Sequence, residues 1–448
     1  MINKKRDLIE KILNNYNNNK YNLSDIKGLI LNDSKDSDKN TIKKYWKKNV
    51  NKLNEINLYF HIPYCESKCY YCREDSDKVP KGFNQDKYID SIIENIHFFK
   101  DTFKNKKFNS LYIGGGTPSI LTEKNIKKLL TSIFENFKFK KDSEKTFESN
   151  PKSMTKSKLE IIKEIGNDNG INRISFGIQS TNNNVLSAVG RVHPPFNKIK
   201  ELIKHTNKLG FKVINVDLIM GLLKDSYKIF KQSIEDLMKL DVSRIWIYPL
   251  NPTQNYLEMF YQSNIEYYFK IWNQYTKKFD YDDLNSLVSK YNYNLNSDIN
   301  FSNQMGFDIT KKSMYDFNNL YELFPSIPTS CLGFGLRSQS HIISELFYKK
   351  INNGYEIKKI SKDDEIIYHL IRILKSDSKM DTSEINKIFS IDFNKKYHEQ
   401  LKFLKTKGII YDKKDFIKFK TDSQKKRFKH FLYLLSKNQL TRMLNKIT

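Results

Sequence analysis

The chain has 448 residues, of which 77 are Lys or Arg and 51 are Asp or Glu, so its formal net charge is +26. That length is enough for two or three domains. The basic residues are scattered rather than gathered into one tract, which argues against a nucleic-acid partner and favours a carboxylate-bearing or phosphate-bearing small molecule. We expect a cytoplasmic protein, because the chain shows no signal peptide, no apolar run of membrane-spanning length and only four cysteines.

The first predicted segment is a polar helical extension over residues 1–50, with helical patterns at 7–16 and 41–51. From residue 56, short β-rich segments alternate with amphipathic helical segments. The predicted strands are 57–62, 110–113, 145–148, 173–177, 213–219 and 244–249. The predicted helices are 86–99, 122–137, 156–164, 195–209 and 227–240. This alternation predicts an α/β core over 51–258, a parallel sheet closed as a barrel or partial barrel with its functional groups at the carboxyl ends of the strands.

After residue 258 the alternation fades. We treat 259–362 as a connecting region, which holds an aromatic helical segment and a glycine motif from Cys331 to Ser340. Residues 363–448 predict helices followed by two short strands at 409–411 and 416–419, an order typical of a winged helix. We therefore predict a mainly helical C-terminal domain, and the sequence leaves open whether such a module binds nucleic acid or serves as a lid or packing domain.

Three cysteines, Cys65, Cys69 and Cys72, stand together after the first predicted strand in a C-x3-C-x2-C arrangement. A [4Fe–4S] cluster takes four cysteine ligands, so three would leave one iron open to a small molecule. A structural zinc site would need a fourth ligand, for which His61 is nearest, and a disulfide would need an even pairing. The remaining cysteine, Cys331, lies beside a glycine turn, and we expect it to be a small packed residue rather than a cluster ligand. The spacing therefore favours an iron–sulfur cluster.

The later predicted strands also end in unusual residues. In chain order these are the run from Gly114 to Pro118 with sequence GGGTP, then Glu148, Gln179, Arg191 in the following loop, and Asp217. Polar side chains buried at successive strand ends would be costly without partners. A zwitterionic ligand carrying a ribose would satisfy them, since carboxylates bind an amine and hydroxyls and an arginine binds a carboxylate.

Taken together, these motifs resemble those of radical S-adenosylmethionine (SAM) enzymes, whose cluster signature is C-x3-C-x2-C. The segments at 59–65, 114–118, 172–180, 190–193 and 217–221 are similar to the oxygen-independent coproporphyrinogen III oxidase superfamily, over roughly 56–340. The resemblance implies a radical SAM partial (β/α)6 barrel. It also implies a [4Fe–4S] cluster whose open iron binds the amino and carboxylate groups of SAM, and a 5′-deoxyadenosyl radical that abstracts hydrogen from the substrate.

Residue by residue, the resemblance assigns the cluster to Cys65, Cys69 and Cys72. The positions matching contacts to a first SAM are Tyr59, Gly115, Glu148 and Gln339. The positions matching contacts to a second SAM are Tyr71, Gly116, Thr117, Gln179, Arg191 and Asp217. The oxidase has other residues where this chain has Gln339 and Pro249, and the resemblance leaves one or two SAM molecules open.

The leading functional hypothesis is a coproporphyrinogen oxidase-like enzyme acting on a carboxylate-bearing substrate, for which a tetrapyrrole is one candidate, with a flavodoxin or ferredoxin as reducing partner. The superfamily also holds class C radical SAM methyltransferases, heme-degrading enzymes and heme chaperones, which remain alternatives. Two features depart from the family pattern. The run from Arg73 to Ser76 after the third cysteine matches neither the oxidase nor the chaperone-like group, and Arg337 stands in the glycine motif where small or apolar residues are common.

Overall fold

The computed structural model describes residues 7–13, 34–296, 307–316, 329–376, 379–413, 416–420 and 429–447. The chain forms two compact units. The barrel unit comprises residues 50–321 and 331–338, and the second unit comprises 1–49, 322–330 and 339–448.

Six parallel strands form the centre of the barrel unit. They are β1 Ile56–Ile62, β2 Ser110–Gly115, β3 Lys145–Ser149, β4 Arg173–Gln179, β5 Val213–Met220 and β6 Arg244–Pro249. Each strand pairs in parallel with the next one along the chain. Right-handed crossovers that always step in one direction place their helices on one face of the sheet. Among the described strands, β6 does not pair with β1, so this α/β fold is the predicted partial (β/α)6 barrel.

The crossovers carry six helices. They are α1 Gln85–Phe99, α2 Glu123–Asn136, α3 Lys156–Glu164, α4 Asn183–Ala188, α5 Phe196–Lys208 and α6 Tyr227–Met238. Five of them begin at a polar side chain that accepts a hydrogen bond from the first-turn backbone: Asn84, Thr122, Thr155, Asn182 and Ser226. These capping side chains explain why the five helices begin where they do.

The barrel unit continues beyond β6 with three helices and three strands of the same sheet. They are α7 Gln254–Tyr261, α8 Ile265–Thr276, α9 Tyr281–Lys290, β7 Tyr293–Asn296, β8 Phe307–Lys311 and β9 Ser330–Phe334. Strand β8 pairs antiparallel with β6 and β7, and β9 lies beside β1. Two small parallel pairs join Tyr64–Cys65 to Asp77–Lys78 and Lys107–Phe108 to Lys138–Phe139.

In the second unit, Lys35–Ser37, Gly354–Lys359, Leu346–Ile351 and Gln339–Ile342 form antiparallel pairs in that order. Its helices are 7–13, Lys39–Asn49, Lys362–Ser376, Thr382–Phe389, Phe393–Lys396, His398–Thr406, 429–432 and Lys437–Ile447. A small antiparallel sheet orders Lys379–Asp381, Phe416–Phe419 and Ile410–Lys413. Helices alternating with these three strands give the predicted winged-helix-like, mainly helical C-terminal region.

The six strands and five crossover helices predicted from the sequence agree with the structure to within two residues at each end. Helix α4 was not predicted, and the aromatic helical segment resolves into α8 and α9. Of the N-terminal helix predicted over 7–16, residues 14–16 lie outside the described residues. The predicted domain limits at 50, 258 and 362 stay predictions. Among the described helices, none has the length and apolar character that crossing a membrane requires.

Candidate active site in the barrel

The inner face of the six-stranded sheet is polar. Its residues, at alternate positions of the strands, are Tyr59, His61, Tyr112, Thr146, Glu148, Arg173, Ser175, Asn215, Asp217, Arg244, Trp246 and Tyr248. Complete (β/α)8 barrels fill the corresponding space with branched apolar side chains. A polar lining in a partial barrel therefore indicates a space for a polar ligand rather than a packed core.

Glu148 is the acidic residue at the end of β3. The Tyr112 hydroxyl donates a hydrogen bond of 2.5 Å to Glu148 Oε1. Burial raises the pKa of Glu148 to about 8, although the Tyr112 hydrogen bond acts in the opposite direction. The carboxyl group is therefore mainly protonated at neutral pH in the ligand-free chain. A cationic amine placed beside it would favour the ionised form.

Asp217, near the end of β5, is already oriented by its neighbours. Its carboxylate accepts hydrogen bonds from Ser175 Oγ at 3.1 Å and from Asn215 Nδ2 at 2.9 Å. Burial raises the pKa of Asp217, and the nearby Arg173 guanidinium opposes that rise. Arg173 in turn pairs with the buried Glu144 at 2.6 Å. These contacts hold an acceptor group in one orientation inside the barrel.

Gln179 ends β4 in a strained conformation. The pairing of β4 with β5 shifts register just before it, which is a β-bulge, and its φ is +71°. Its side-chain Oε1 is buried and has no hydrogen-bond partner in the part of the chain that the structure describes. Left-handed backbone at a non-glycine residue and an orphaned acceptor each cost free energy, and both are typical of ligand sites.

The cysteine loop follows β1 at the carboxyl edge of the sheet. Cys65 lies in the short strand Tyr64–Cys65, and all three thiols are partly buried. Lys68 fastens the loop by donating to the carbonyl oxygens of Glu74 and Ser76 at 2.9 Å and 2.5 Å. The three thiols therefore lie on one loop, held by Lys68, at the carboxyl edge of the polar barrel.

Hydroxyl and guanidinium donors reach two of these sulfurs. Thr117 Oγ1 donates to Cys65 Sγ at 3.2 Å, and Arg191 Nη1 donates to Cys69 Sγ at 3.5 Å. The residues thus fit an iron–sulfur cluster, which is bound by cysteine thiolates whose sulfurs accept hydrogen bonds from neighbouring side chains. Among the described residues, no three His, Cys, Asp or Glu side chains surround a point that would hold one metal ion. A cluster binds each thiolate through a separate iron, so its ligand sulfurs lie farther apart than those around one ion.

The glycine loop after β2 packs directly on the cysteine loop. The Gly116 N–H donates to Ile62 O at 2.7 Å and the Thr117 N–H to Tyr64 O at 3.0 Å. A Cβ atom on Gly116 would lie 2.7 Å from Tyr64 O, so only glycine fits there. These two N–H groups are used within the protein, and the glycines serve first to bring two backbones together.

Arg191 is fixed by several partners. Its Nε donates to His193 Nε2 at 2.8 Å, and its Nη2 donates to Gly177 O. Burial and the Arg191 charge lower the pKa of His193 to about 3, so His193 is a neutral acceptor. The buried Tyr71 hydroxyl lies beside Arg191 and Cys69, and it lacks a well-aligned partner among the residues that are described.

The glycine motif contributes Arg337, which contacts the segment after the third cysteine. Its Nη1 lies 3.4 Å from Asp75 Oδ1, and its Nη2 pairs with Asp77. A Cβ on Gly335, whose φ is +93°, would lie 2.3 Å from His61 O, so the motif approaches β1 closely. The two departures from the family pattern, in the run 73–76 and at Arg337, are therefore in contact with each other.

The structure brings most of the predicted site residues to one edge of the barrel. Tyr59, Gly115 and Glu148 lie on β1 to β3, and Tyr59 is hydrogen-bonded to His61 Nδ1 at 2.7 Å. Gln339 instead begins an antiparallel strand of the second unit, where it is exposed and faces Lys349 across the strand pair.

The sequence interpretation missed several inner-face residues: Tyr112, Arg173, Arg244, Trp246 and Tyr248. The available signal was the alternation of polar and apolar residues along each strand, as in the segment Arg173–Gln179.

Comparisons with known proteins show which families this chain resembles. The model of the Radical SAM superfamily matches residues 59–237. The heme chaperone HemW of Lactococcus lactis is 36% identical over 193 residues, which are 43% of this chain and 48% of that protein. The oxygen-independent coproporphyrinogen III oxidase of Salmonella typhimurium is 30% identical over 193 residues, 43% of this chain and 41% of that enzyme. These alignments thus span less than half of either relative.

Two further similarities extend over more of the chain. The oxygen-independent coproporphyrinogen III oxidase of Helicobacter pylori strain J99 is 26% identical over 371 residues, 78% of each protein. The structure of coproporphyrinogen III oxidase HemN from Escherichia coli has a TM-score of 0.64 at 20% identity, covering 87% of this chain and 93% of that one. This last similarity shows the fold.

The six-stranded partial barrel, the three-cysteine loop and the family match over residues 59–237 identify a radical SAM domain in this chain. Within that superfamily the chain is similar in sequence to oxygen-independent coproporphyrinogen III oxidases and to heme chaperones named HemW. A radical SAM domain implies a [4Fe–4S] cluster and SAM as cofactors.

Proposed function

We propose that this chain is a SAM-cleaving enzyme that acts on a carboxylate-bearing tetrapyrrole, with oxidative decarboxylation of coproporphyrinogen III as its leading reaction. The observation that carries the proposal is the loop with three thiols above a polar barrel interior that contains Glu148, Gln179 and Asp217. Cys65, Cys69 and Cys72 would hold the [4Fe–4S] cluster. When bound, the cluster and SAM supply a 5′-deoxyadenosyl radical that abstracts hydrogen from the substrate.

The chain's own residues would bind and orient SAM. Tyr59, Gly115 and Glu148 are the proposed contacts that the barrel unit makes to a first molecule. The Glu148 carboxyl group would lose its proton as it pairs with the SAM amine, because a cation beside it lowers the pKa that burial has raised. Tyr112 holds that carboxyl group in place.

A second SAM is proposed at Tyr71, Gly116, Thr117, Gln179, Arg191 and Asp217. Its polar groups would give partners to the Tyr71 hydroxyl and to Gln179 Oε1, both of which lack one among the described residues. Asp217 is already oriented by Ser175 and Asn215, so it would accept from ribose hydroxyls or an amine without a loss of its own freedom.

The choice of a tetrapyrrole substrate is supported by the activity for which the Salmonella and Helicobacter relatives are named, rather than by a contact in the barrel. The net charge of +26 is consistent with a substrate that carries several carboxylates. We also propose a small acidic electron donor, a flavodoxin or ferredoxin, as the reducing partner, and a cytoplasmic location.

A heme-binding chaperone is the second candidate, because the Lactococcus lactis relative with 36% identity carries that name. In that case the same loop and barrel would bind the cluster and SAM, and the tetrapyrrole would be bound without conversion. Methylation or heme degradation would be distinguished by the same product analysis.

The test is anaerobic reconstitution with iron and sulfide, followed by incubation with SAM, a reductant and either coproporphyrinogen III or heme. Mass spectrometry of the products separates the candidates. A vinyl product with carbon dioxide supports the oxidase, a methylated product with S-adenosylhomocysteine supports a methyltransferase, and unchanged bound heme supports the chaperone. The Cys69→Ala variant is the matched control. Cluster-loaded protein that neither converts nor binds either tetrapyrrole would contradict the proposal.

A further inference from the structure

Two side chains outside the cysteine loop point hydrogen-bond donors at its sulfurs. Thr117 Oγ1 lies 3.2 Å from Cys65 Sγ, and Arg191 Nη1 lies 3.5 Å from Cys69 Sγ. Thr117 follows β2, and Arg191 lies in the loop between α4 and α5. Two different crossovers of the barrel therefore converge on two of the three proposed cluster ligands.

Both donors are held in place by contacts of their own. The Thr117 backbone N–H donates to Tyr64 O at 3.0 Å, next to Cys65, and Thr117 precedes the short 3-10 helix Pro118–Ile120. The Arg191 guanidinium is anchored at its other nitrogens by His193 Nε2 and Gly177 O. These contacts fix the backbone of Thr117 and the guanidinium plane of Arg191. Both donors therefore face the sulfurs before any ligand binds.

We propose that Thr117 and Arg191 set the reduction potential of the cluster by donating hydrogen bonds to Cys65 Sγ and Cys69 Sγ. This inference rests on the cluster of the proposed function. Reduction adds an electron whose density is shared by the cysteine sulfurs, so a donor or a positive charge beside a sulfur stabilises the reduced cluster more than the oxidised one. Both residues therefore raise the potential and make the cluster easier to reduce by a biological donor.

This role differs from a contact to a second SAM, which the family resemblance gives the same two residues. A SAM contact acts only when SAM is bound. A hydrogen bond to a cluster ligand changes the potential of the cluster in the absence of SAM. The midpoint potential of SAM-free protein therefore reports on the proposed role alone.

The experiment is a redox titration of reconstituted protein without SAM, followed by electron paramagnetic resonance, with iron content and circular dichroism measured on each sample. Thr117→Val removes the hydroxyl at nearly constant volume, and we expect a tenfold shift of the redox equilibrium toward the oxidised cluster, about 59 mV. Arg191→Met, which removes a donor and a charge, is expected to shift it about a hundredfold, or about 118 mV.

Thr117→Ser keeps the hydroxyl and is expected to restore the parent potential. Thr206→Val is the matched control, because Thr206 is a buried threonine whose hydroxyl donates only to Leu202 O within α5. It should leave the potential unchanged.

The inference would be overturned by a Thr117→Val protein that carries a full cluster and whose midpoint potential lies within about 18 mV of the parent, which is a twofold change in the redox equilibrium constant. If Thr117→Val fails to load, Arg191→Met and Arg191→Lys decide by the same criterion, with the lysine variant expected between the parent and the methionine variant. A parent chain that binds no cluster would instead overturn the proposed function itself. The two failures are therefore distinguishable.

Discussion

The outer and inner faces of strands β1 to β6 share one backbone but differ in nearly every side chain. On the outer face, residues such as Phe60, Ile113, Phe147, Ile174 and Val216 are completely buried. On the inner face the alternate positions carry phenols, carboxylates, amides and guanidinium groups. Because strand side chains alternate with a period of two, stability and chemistry are separated within the same strands. Substitutions on the outer face should therefore lower the stability of the fold, and substitutions on the inner face should weaken ligand binding.

The largest effect is expected at the cysteine loop. Changing Cys65, Cys69 or Cys72 to Ala should each abolish the brown chromophore and the roughly four irons of a reconstituted chain. Cys331→Ala should keep both, because Cys331 lies in β9 outside the loop. Iron analysis and absorption spectra make the measurement. Loss of the cluster in the Cys331 variant alone would refute the three-ligand assignment.

Substitutions on the outer face should lower the free energy of unfolding. Phe60 is fully buried and stacks on Phe334 with ring centroids 5.1 Å apart, so Phe60→Ala is expected to cost about 3–5 kcal/mol of unfolding free energy. Tyr112→Phe, which deletes one hydroxyl on the inner face, should cost less than about 1.5 kcal/mol. Urea unfolding of the cluster-free chain measures both. Equal costs for the two substitutions would contradict the division between the faces.

The inner face should respond in ligand binding. Gln179→Ala, Arg191→Ala and Asp217→Ala should each weaken the binding and use of SAM while the cluster stays in place. The loss of a charge-assisted contact costs about 1.5–3 kcal/mol, which is about a tenfold to hundredfold change in affinity. Equilibrium dialysis and 5′-deoxyadenosine release provide the measurement. Three variants that bind and cleave SAM like the parent would show that this site is wrongly placed.

The smallest effect is a pH dependence of stability at Glu148. Burial raises its pKa from 4.5 to about 8 in the folded chain, so between these values the folded state keeps a proton that the unfolded state releases. The contribution of Glu148 to stability therefore falls as pH rises through this interval. Because solvent reaches this partly buried carboxyl group, we expect about 1–2 kcal/mol.

Glu148→Gln removes the titrating group. Relative to the parent, the cluster-free variant should therefore be more stable by that amount at about pH 8.5 than at about pH 5. Urea titrations at the two pH values measure the difference. A variant whose relative stability is the same at both, or greater at the lower pH, would contradict the assigned pKa direction.

Much of the barrel could be predicted from the sequence, because each strand and crossover helix has a strong local pattern. Strand β4 shows the limit. Its predicted end at residue 177 falls short of Gln179, because nothing local in the sequence reveals the bulge that carries the chain on to a residue with positive φ. The cysteines and the strand-end acids were recognisable, since their spacing and position are encoded along the chain.

Contacts between distant segments could not be predicted in the same way. Arg337 meets Asp75 and Asp77 across some 260 residues of chain, and Thr117 reaches Cys65 from the next strand. The sequence placed Arg191 near a ligand carboxylate, whereas the structure shows its guanidinium already held by His193, Gly177 and Cys69. Such contacts depend on how the strands pack in three dimensions, and not on local spacing.

The most direct test of the central claim is the electron paramagnetic resonance spectrum of the reduced, reconstituted chain with and without SAM. An iron left open by the three cysteines should bind the amino and carboxylate groups of SAM, so the account predicts a cluster signal that changes on SAM addition. The change should be lost in protein without the cluster and weakened in Glu148→Ala, since Glu148 is the proposed contact to the amine of the first SAM. A reduced [4Fe–4S] signal that is identical with and without saturating SAM would contradict the claim that the barrel interior is built for this cofactor.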